Sequence, residues 1–544
     1  MKTKILILLA AFPLLAQTGC NNWLDLTPTT KITDKSAWES EEATDMYINN
    51  FYEYLSIYGS FGSGQFKGNL SEGLTDTFKY GSYVAGNRAG DCNNYVFTPE
   101  TISSTGCLLD CWTDTYTRIR RINEFLAAMK KYSNYPADLN TRYEAQARFF
   151  RAYLYFQLAK RYGGYLIIYT TLDEMKKDTP LSDPDRVWQF IYDDLMFAAK
   201  NLPPAWNAAN KGRMTTGSAY ALLSRTMLYA ERWSDAKNAA EEVFKLGYDL
   251  APTYDEAWKG GNAESIIEFN YHVNGPNHYW DRYMSMYHEY TTGGSSAPTQ
   301  EMVESYETTE GAKVDWSKWH KAEGTTERPP YESLEPRFAS TVLYNGAKWK
   351  DMELECCVDG KYGRFVDYGS EPYPYGKTVT GYYLRKFRQE GNKDLTNTAS
   401  TGTWVECRLA EVYLNHAEAC YRLNDPGKAI LSLKEVRGRV DLPTDMGLTG
   451  EELFAAIRHE RKIELAYEGH LWWDMRRWKL SEQAYTGIRV HGMKITKQTD
   501  GYKYAYIDCD GQNRTFLQRM YRLPIPNTEL QNNSAIKQFD EWNF

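Results

Sequence analysis

The chain has 544 residues, 42% of them hydrophobic, and 63 Lys and Arg against 71 Asp and Glu give a formal net charge of −8. A chain of this length and apolar content can bury a substantial core, which excludes wholesale disorder. An acidic chain without a basic block argues against nucleic acid as a partner, because phosphates require clustered Lys and Arg. The 43 Tyr outnumber the 21 Phe, and this excess indicates an aromatic surface, since Tyr joins an apolar ring to a polar edge.

The N-terminus has the pattern of a secretory signal. Lys2 and Lys4 precede an apolar run over residues 5–16, and small residues lead to Cys20. We predict that residues 1–19 are a signal peptide and that Cys20 is lipidated, because a cysteine directly after such a run is typical of bacterial lipoproteins. Gln17 departs from the usual lipobox, so simple secretion with Cys20 as an ordinary cysteine stays an alternative.

Most of the strong local patterns are helical. Apolar residues at helical spacing and capping residues predict helices over 110–131, over 145–162 with Gly163-Gly164 as the stop, and from Ser182-Asp183-Pro184 to Leu202. Thr449 and Glu452 predict a capping box that opens a helix ending at Gly469. The Gly- and Tyr-rich stretches between the helices are predicted as long functional loops: 58–106, 271–300, 307–330, 345–403 and 485–520.

Two stretches of the chain share a helix–turn–helix pattern with small residues at the contact. Residues 220–230 turn at Arg232-Trp233, and residues 409–419 turn at Asn424-Asp425-Pro426. Degenerate tetratricopeptide repeats have this pattern, although any antiparallel helix pair obeys the same packing rules. We therefore predict a mostly α fold with tetratricopeptide-like helix pairs.

Motifs for catalysis, metal binding and nucleotide binding are missing from the sequence. It has no phosphate-binding loop, no nucleophile elbow and no C-x-x-C pair, and His459-Glu460 lacks the second histidine of a zinc protease. Glu460, Glu464 and Glu468 share one helix face and could be read as glycosidase carboxylates. We favour a structural ion network, with Arg458, Arg461, Arg476 or Arg477 between the carboxylates, and we expect no enzymatic activity, no catalytic metal and no cofactor; a structural Ca²⁺ stays an alternative that no motif indicates.

Six phrases in order resemble the SusD/RagB family of outer-membrane lipoproteins. They are Cys20-Asn-Asn-Trp-Leu-Asp-Leu-Thr-Pro28, residues 144–164 ending in Tyr-Gly-Gly, Glu335-Pro-Arg-Phe338, Arg408–Ala419, Arg458–Trp478, and Leu523-Pro-Ile-Pro526 with Gln531-Asn-Asn533. Glu335 replaces the family's usual Asp. The resemblance covers nearly the whole chain.

The resemblance implies a single module over 20–544, with an N-terminal part of about 20–230 and a C-terminal part of about 260–544. About four tetratricopeptide-like helix pairs would support an irregular, loop-rich region. It implies a lipid-anchored, surface-exposed outer-membrane protein that captures a nutrient glycan and passes it to a SusC-like TonB-dependent transporter. It implies no catalytic role.

The ligand site has to be inferred from residue chemistry, because the family's phrases are mainly scaffold. Proteins bind sugars by stacking aromatic rings on the C–H faces and by reaching hydroxyls with polar side chains. Two loop segments combine both residue types, and Trp316 with Trp319 is a weaker third. The candidates are Tyr83, Asn87, Arg88, Asn94 and Tyr95 in the first segment, and Trp280, Arg282 and Tyr283 in the second. Packing within the loops is the alternative role for each ring.

Two other functions stay open at this point. A peptide-binding member of the same family would use the same aromatic and Asn side chains. A secreted helical glycoside hydrolase would instead release products from a polysaccharide.

Overall fold

The computed structural model describes residues 38, 40–61, 71–79, 102, 109–290, 296–371, 375–444 and 447–543. The α-helices in these ranges are α1 (Glu41–Tyr58), α2 (Trp112–Tyr132), α3 (Ala137–Tyr162), α4 (Pro184–Asn201), α5 (Thr216–Tyr229), α6 (Trp233–Val243), α7 (Tyr254–Ala257), α8 (Trp280–Tyr283), α9 (Gln300–Glu304), α10 (Pro336–Thr341), α11 (Leu409–Arg422), α12 (Pro426–Gly438), α13 (Gly450–Glu464), α14 (Leu471–Arg477), α15 (Ser481–Tyr485) and α16 (Asn527–Asn532).

The strands are short and pair only two by two within the described ranges. They are β1 (Phe78–Lys79), β2 (Ser265–Phe269), β3 (Ala297–Pro298), β4 (Val342–Leu343), β5 (Lys348–Trp349), β6 (Met352–Glu353), β7 (Tyr383–Leu384), β8 (Trp404–Arg408), β9 (His491–Gln498) and β10 (Gly501–Asp508). The antiparallel pairs are β1–β3, β2–β8, β4–β7, β5–β6 and β9–β10.

The helices that the sequence predicts are confirmed, and local capping explains their ends. At the start of α4 the Asp183 side chain accepts a hydrogen bond from the backbone N–H of Arg186, and Pro184 occupies the first turn. Helix α3 ends at Gly163, whose φ of 65° is the left-handed conformation that glycine adopts without strain. These signals lie within a few residues of each boundary, which is why the sequence alone reveals them.

Helix–turn–helix packing organises the larger part of the fold. Helices α2 to α6 pack consecutively, α11 packs on α12, and α11 also contacts α6 and α13. Small residues occur at these contacts, such as Ala236, Ala240 and Ala417, which are fully buried. The prediction of a mostly α fold with tetratricopeptide-like pairs is confirmed.

Three local predictions are wrong. The Thr449 side chain caps nothing, since α13 has no side-chain hydrogen bond at its N-cap. The helix predicted to end at Gly469 ends earlier: α13 ends at Glu464 and α14 begins at Leu471, with Tyr467 and Gly469 at φ of 63° and 80° between them. The predicted loop over 485–520 holds the longest hairpin of the described chain, β9 and β10.

Candidate functional site

The predicted site residues divide into those that the structure describes and those that it does not. Tyr83, Asn87, Arg88, Asn94 and Tyr95, and also Cys20, lie outside the described residues. Lys79, the first residue of the first segment, is described and pairs with Ala297. The remaining candidates are Trp280, Arg282, Tyr283, Trp316 and Trp319.

Trp280 lies in the core, contrary to the expectation that its segment is too polar to be a core helix. Its side chain is 1% exposed and contacts the rings of Phe61 and Phe387, with centroids 5.1 and 6.1 Å away. The backbone N–H of Trp280 donates to Nδ1 of His278 at 3.1 Å. Such burial favours packing as the role of this indole, because its faces are occupied by protein.

The buried Asp281 fixes the surrounding chain. Its carboxylate accepts hydrogen bonds from the backbone N–H of Gln389 at 2.7 Å, the hydroxyl of Ser400 at 2.8 Å and the amide of Asn392 at 3.3 Å. An isolated buried carboxylate would be costly, and these donors satisfy it. Residues 277–290, which we call the tyrosine segment, are thereby held against residues 385–403.

The tyrosine segment presents aromatic rings to solvent around Arg282. Tyr279 is 42% exposed, and the Arg282 guanidinium carbon lies 4.5 Å from its ring centroid and 5.0 Å from that of Tyr290. Arg282 also donates to the carbonyls of Leu395 and Thr396, both at 2.8 Å. Because guanidinium groups stack well on aromatic faces, Arg282 holds the two rings in place.

Tyr287 forms a second exposed ring on the same segment. It is 37% exposed, and its backbone N–H donates to the carbonyl of Gly376 at 3.0 Å. The Arg364 guanidinium carbon lies 5.4 Å from the ring centroid, and the Lys377 ammonium lies 5.7 Å from it. Sequence spacing does not predict these two cations, because they come from a loop more than 70 residues further along the chain.

A cavity of about 410 Å³ lies beside the tyrosine segment and shares Phe61 and Phe387 with the packing of Trp280. Buried rings and polar side chains line it together. The rings are Phe61, Trp258, Trp349 and Phe387, and the polar residues are Asp255, Lys259, Arg385, Arg388, Gln389, Glu390, Thr401 and Thr403. A cavity with aromatic walls and a few polar groups is typical of ligand sites. Sequence reasoning missed Trp258 and Trp349, which carry no local signal beyond being aromatic.

The third predicted site borders a different cavity. Trp316 is buried and lines a cavity of about 490 Å³ with Lys313, Asp315 and His320. Trp319 is buried as well, and its Nε1 donates to the carbonyl of Glu327 at 2.9 Å. The Trp319 indole therefore has its hydrogen-bond partner within the loop. Ligand contact by Trp316 or Trp319 stays a prediction.

The three glutamates of the predicted ion network are buried and paired, as the sequence suggested, but with other partners than those predicted. Their cations come from distant elements rather than from Arg458, Arg461, Arg476 or Arg477. Glu460 pairs with Arg337 and Arg437, Glu464 with Arg337, Arg408 and Arg439, and Glu468 with Arg408 and Lys386. Arg461 and Arg477 instead bind Asp474.

The ion pairs lower the pKa values of Glu464 and Glu468. Burial by itself would raise the pKa of Glu464, but Arg439, Arg408 and Arg337 outweigh burial and hold that pKa well below its usual range. Burial would also raise the pKa of Glu468, but Arg408 and Lys386 outweigh burial and lower that pKa. A general acid of glycoside hydrolysis needs a raised pKa, so these two carboxylates do not have the properties of that acid.

Two features are absent from the described ranges. No described helix is both long and apolar enough to cross a membrane. No group of three or more His, Cys, Asp or Glu side chains in the described chain is arranged to hold a metal ion.

Family comparisons agree with the fold. Residues 240–542 match the model described as SusD family, and residues 22–228 match the model described as starch-binding associating with outer membrane. The first match spans more than half of the chain, and the chain therefore belongs to the SusD family, whose members bind carbohydrate.

Individual relatives are distant but cover nearly the whole chain. A SusD-like protein of Bacteroides ovatus is 23% identical over 95% of this chain and 91% of its own length. The crystal structure of a SusD-like protein from Bacteroides fragilis superposes with a TM-score of 0.76, at 27% identity, covering 93% of this chain and 98% of that one. A laminarin-binding SusD-like protein has a TM-score of 0.61 at 22% identity, covering 92% and 99%.

Proposed function

We propose that this protein is a surface-exposed outer-membrane lipoprotein that captures a nutrient glycan and delivers it to a SusC-like TonB-dependent transporter. The observation that carries the proposal is the tyrosine segment, which presents exposed rings beside a cavity with aromatic walls and polar side chains. Cys20 is the proposed site of lipidation. The glycan binds without being cleaved.

The chemistry of the segment suits a saccharide. Sugar rings offer flat C–H faces, which stack on tyrosine, and hydroxyl groups, which accept and donate hydrogen bonds. Tyr279 and Tyr287 provide the exposed faces. Gln389, Thr401 and Thr403 on the cavity wall provide donors and acceptors. Because Asp281 and Arg282 fix the backbone around these groups, the surface is largely formed before the ligand arrives, which lowers the entropic cost of binding.

Similarity to known proteins supports the same function. The family model for residues 22–228 carries the description of starch binding and outer-membrane association, and one structural neighbour binds laminarin. The alternatives are a peptide ligand, which the same tyrosines would also suit, and hydrolysis. Hydrolysis is disfavoured by the ion pairs that hold the pKa values of Glu464 and Glu468 low.

Calorimetric titration of purified protein with a panel of oligosaccharides and peptides tests the proposal. We expect a glycan to bind, and Tyr279→Ala with Tyr287→Ala to weaken that binding by about 2 kcal/mol or more, as hot-spot aromatics do. Tyr165→Ala is the matched control, because Tyr165 is 38% exposed and follows helix α3, away from the segment. Binding of peptides alone, or release of sugar products, would contradict the proposal.

A further inference from the structure

The two acidic side chains of the tyrosine segment, Asp281 and Glu289, are buried and bound to protein groups. Asp281 is buried with its three donors. Glu289 is also withdrawn: its carboxylate pairs with Arg388 and with Lys350, the latter at 2.9 Å, and accepts from Nε1 of Trp349 at 2.9 Å. The carboxylates of these two residues therefore do not face a ligand.

Unlike these buried carboxylates, the cations of this region lie at the surface of the segment, over its aromatic rings. Arg282 lies over Tyr279 and Tyr290, and Arg364 lies over Tyr287. Nearby, the Lys361 ammonium lies 4.7 Å from the ring centroid of Tyr362. Among the described residues, neither Arg282 nor Arg364 forms an ion pair with a carboxylate, whereas Lys361 interacts with the charge of Glu355 and the neighbouring Lys377 pairs with Glu371.

Arg282 and Arg364 therefore place positive charge at the tyrosine segment of a protein whose net charge is −8, with no described carboxylate within ion-pair distance of either guanidinium. The planar fork of Arg matches a carboxylate or sulfate through two parallel hydrogen bonds. Within the described part of the chain, the Arg364 guanidinium makes one long hydrogen bond, from Nε to the Gly360 carbonyl at 3.5 Å.

We propose that the tyrosine segment recognises an acidic glycan, with Tyr279 and Tyr287 stacking on sugar rings, Arg364 pairing with carboxylate or sulfate groups on the chain, and Arg282 adding positive charge beside them. This inference rests on the proposed glycan-binding function and narrows its ligand class. Lys361 adds long-range attraction, which salt screens.

The test compares three polymers: polygalacturonate, which carries carboxylates, carrageenan, which carries sulfate esters, and neutral laminarin. We expect at least one acidic polymer to bind more tightly than laminarin, and its affinity to fall as salt is raised. Methyl esterification of polygalacturonate removes the charge while keeping the sugar, so it should abolish binding if the carboxylate is the group recognised. Preferential binding of carrageenan would assign the sulfate instead.

Substitutions link the effect to the segment. Arg364→Gln should weaken binding of the acidic polymer about tenfold or more, because hydrogen bonds to charged groups are the strong ones, and Arg282→Gln should act in the same direction. Arg282 also holds two backbone carbonyls, so Arg364→Gln is the decisive variant if Arg282→Gln unfolds. Arg120→Gln removes the same charge from an exposed position on α2 and should leave affinity unchanged.

Several results would overturn the inference. Laminarin binding as tightly as the acidic polymers would refute it while leaving glycan capture intact. Equal affinity of wild type and Arg364→Gln would also refute it. Binding of peptides with no binding of any polymer would instead refute the proposed function itself.

Discussion

Replacing Glu464 by Gln tests whether the buried ion network holds the scaffold together. Glu464 is 0% exposed, and its carboxylate contacts Arg408 at 2.6 Å, Arg337 at 3.0 Å and also Arg439. The amide keeps the shape of the side chain but removes its charge and places an N–H₂ group among three guanidinium groups. Breaking a buried pair in this way costs about 3–5 kcal/mol.

Because the unfolding entropy grows with chain length, this loss of free energy lowers the Tm of a large protein only modestly. At about 2.1 cal/mol/K for each residue, the unfolding entropy of the chain near its Tm is roughly 1.1 kcal/mol/K. The expected fall in Tm is therefore about 3–4 °C, which thermal melting followed by circular dichroism resolves. Glu144→Gln is the control, because Glu144 pairs with Arg148 on the surface of α3 and such pairs contribute about 0.3–0.5 kcal/mol.

Ligand affinity of the folded variant separates scaffold from function. Glu464→Gln should bind glycan like the wild type at low temperature. An unchanged Tm would refute the network as a source of stability. Loss of a hydrolytic activity in a variant of normal Tm would show that the carboxylate is catalytic.

Three further changes have defined outcomes. At His491, burial alone would lower the pKa, but the hydrogen bond and charge of Glu301, together with the charge of Asp508, raise it. The stabilisation that the protonated His491 gives the folded state is complete below the unfolded pKa of about 6.5. It is lost as pH rises through the folded pKa. The Tm deficit of His491→Gln should thus be larger near neutrality than at alkaline pH, and an equal deficit at both would contradict this assignment. Trp280→Ala should cost about 3–5 kcal/mol of stability, as for other buried aromatics, and a folded variant of wild-type Tm would refute the packing role. Cys20→Ala should give a folded, soluble protein that still binds glycan, and membrane retention of this variant without its transporter would refute the lipid anchor.

The sequence predicts the helical scaffold well because its signals are local. Asp183-Pro184 starts α4 and Gly163 ends α3, and each acts within one turn of the helix. Thr449 fits the same rule but forms no cap, since a capping side chain must also reach the backbone N–H groups. The break between Glu464 and Leu471 depends on packing rather than on local pattern: the Tyr467 hydroxyl donates to the carbonyl of Thr77, far away in the chain.

The candidate site is only partly predictable, because its geometry depends on contacts between distant segments. The composition of residues 277–290 identifies the segment, but it does not show which ring is buried. Phe61 and Phe387 cover Trp280 and leave Tyr279 exposed. Arg364 reaches Tyr287 from another loop, so that pair could not be inferred from spacing.

The most direct test of glycan capture at the tyrosine segment is a crystal structure of the protein with its tightest-binding oligosaccharide from the panel. The account predicts a sugar ring stacked on Tyr279 or Tyr287, with hydroxyl or acidic groups hydrogen-bonded to side chains of the adjoining surface. A saccharide bound at the Trp316 cavity, with the tyrosine segment making no contact, would contradict the account.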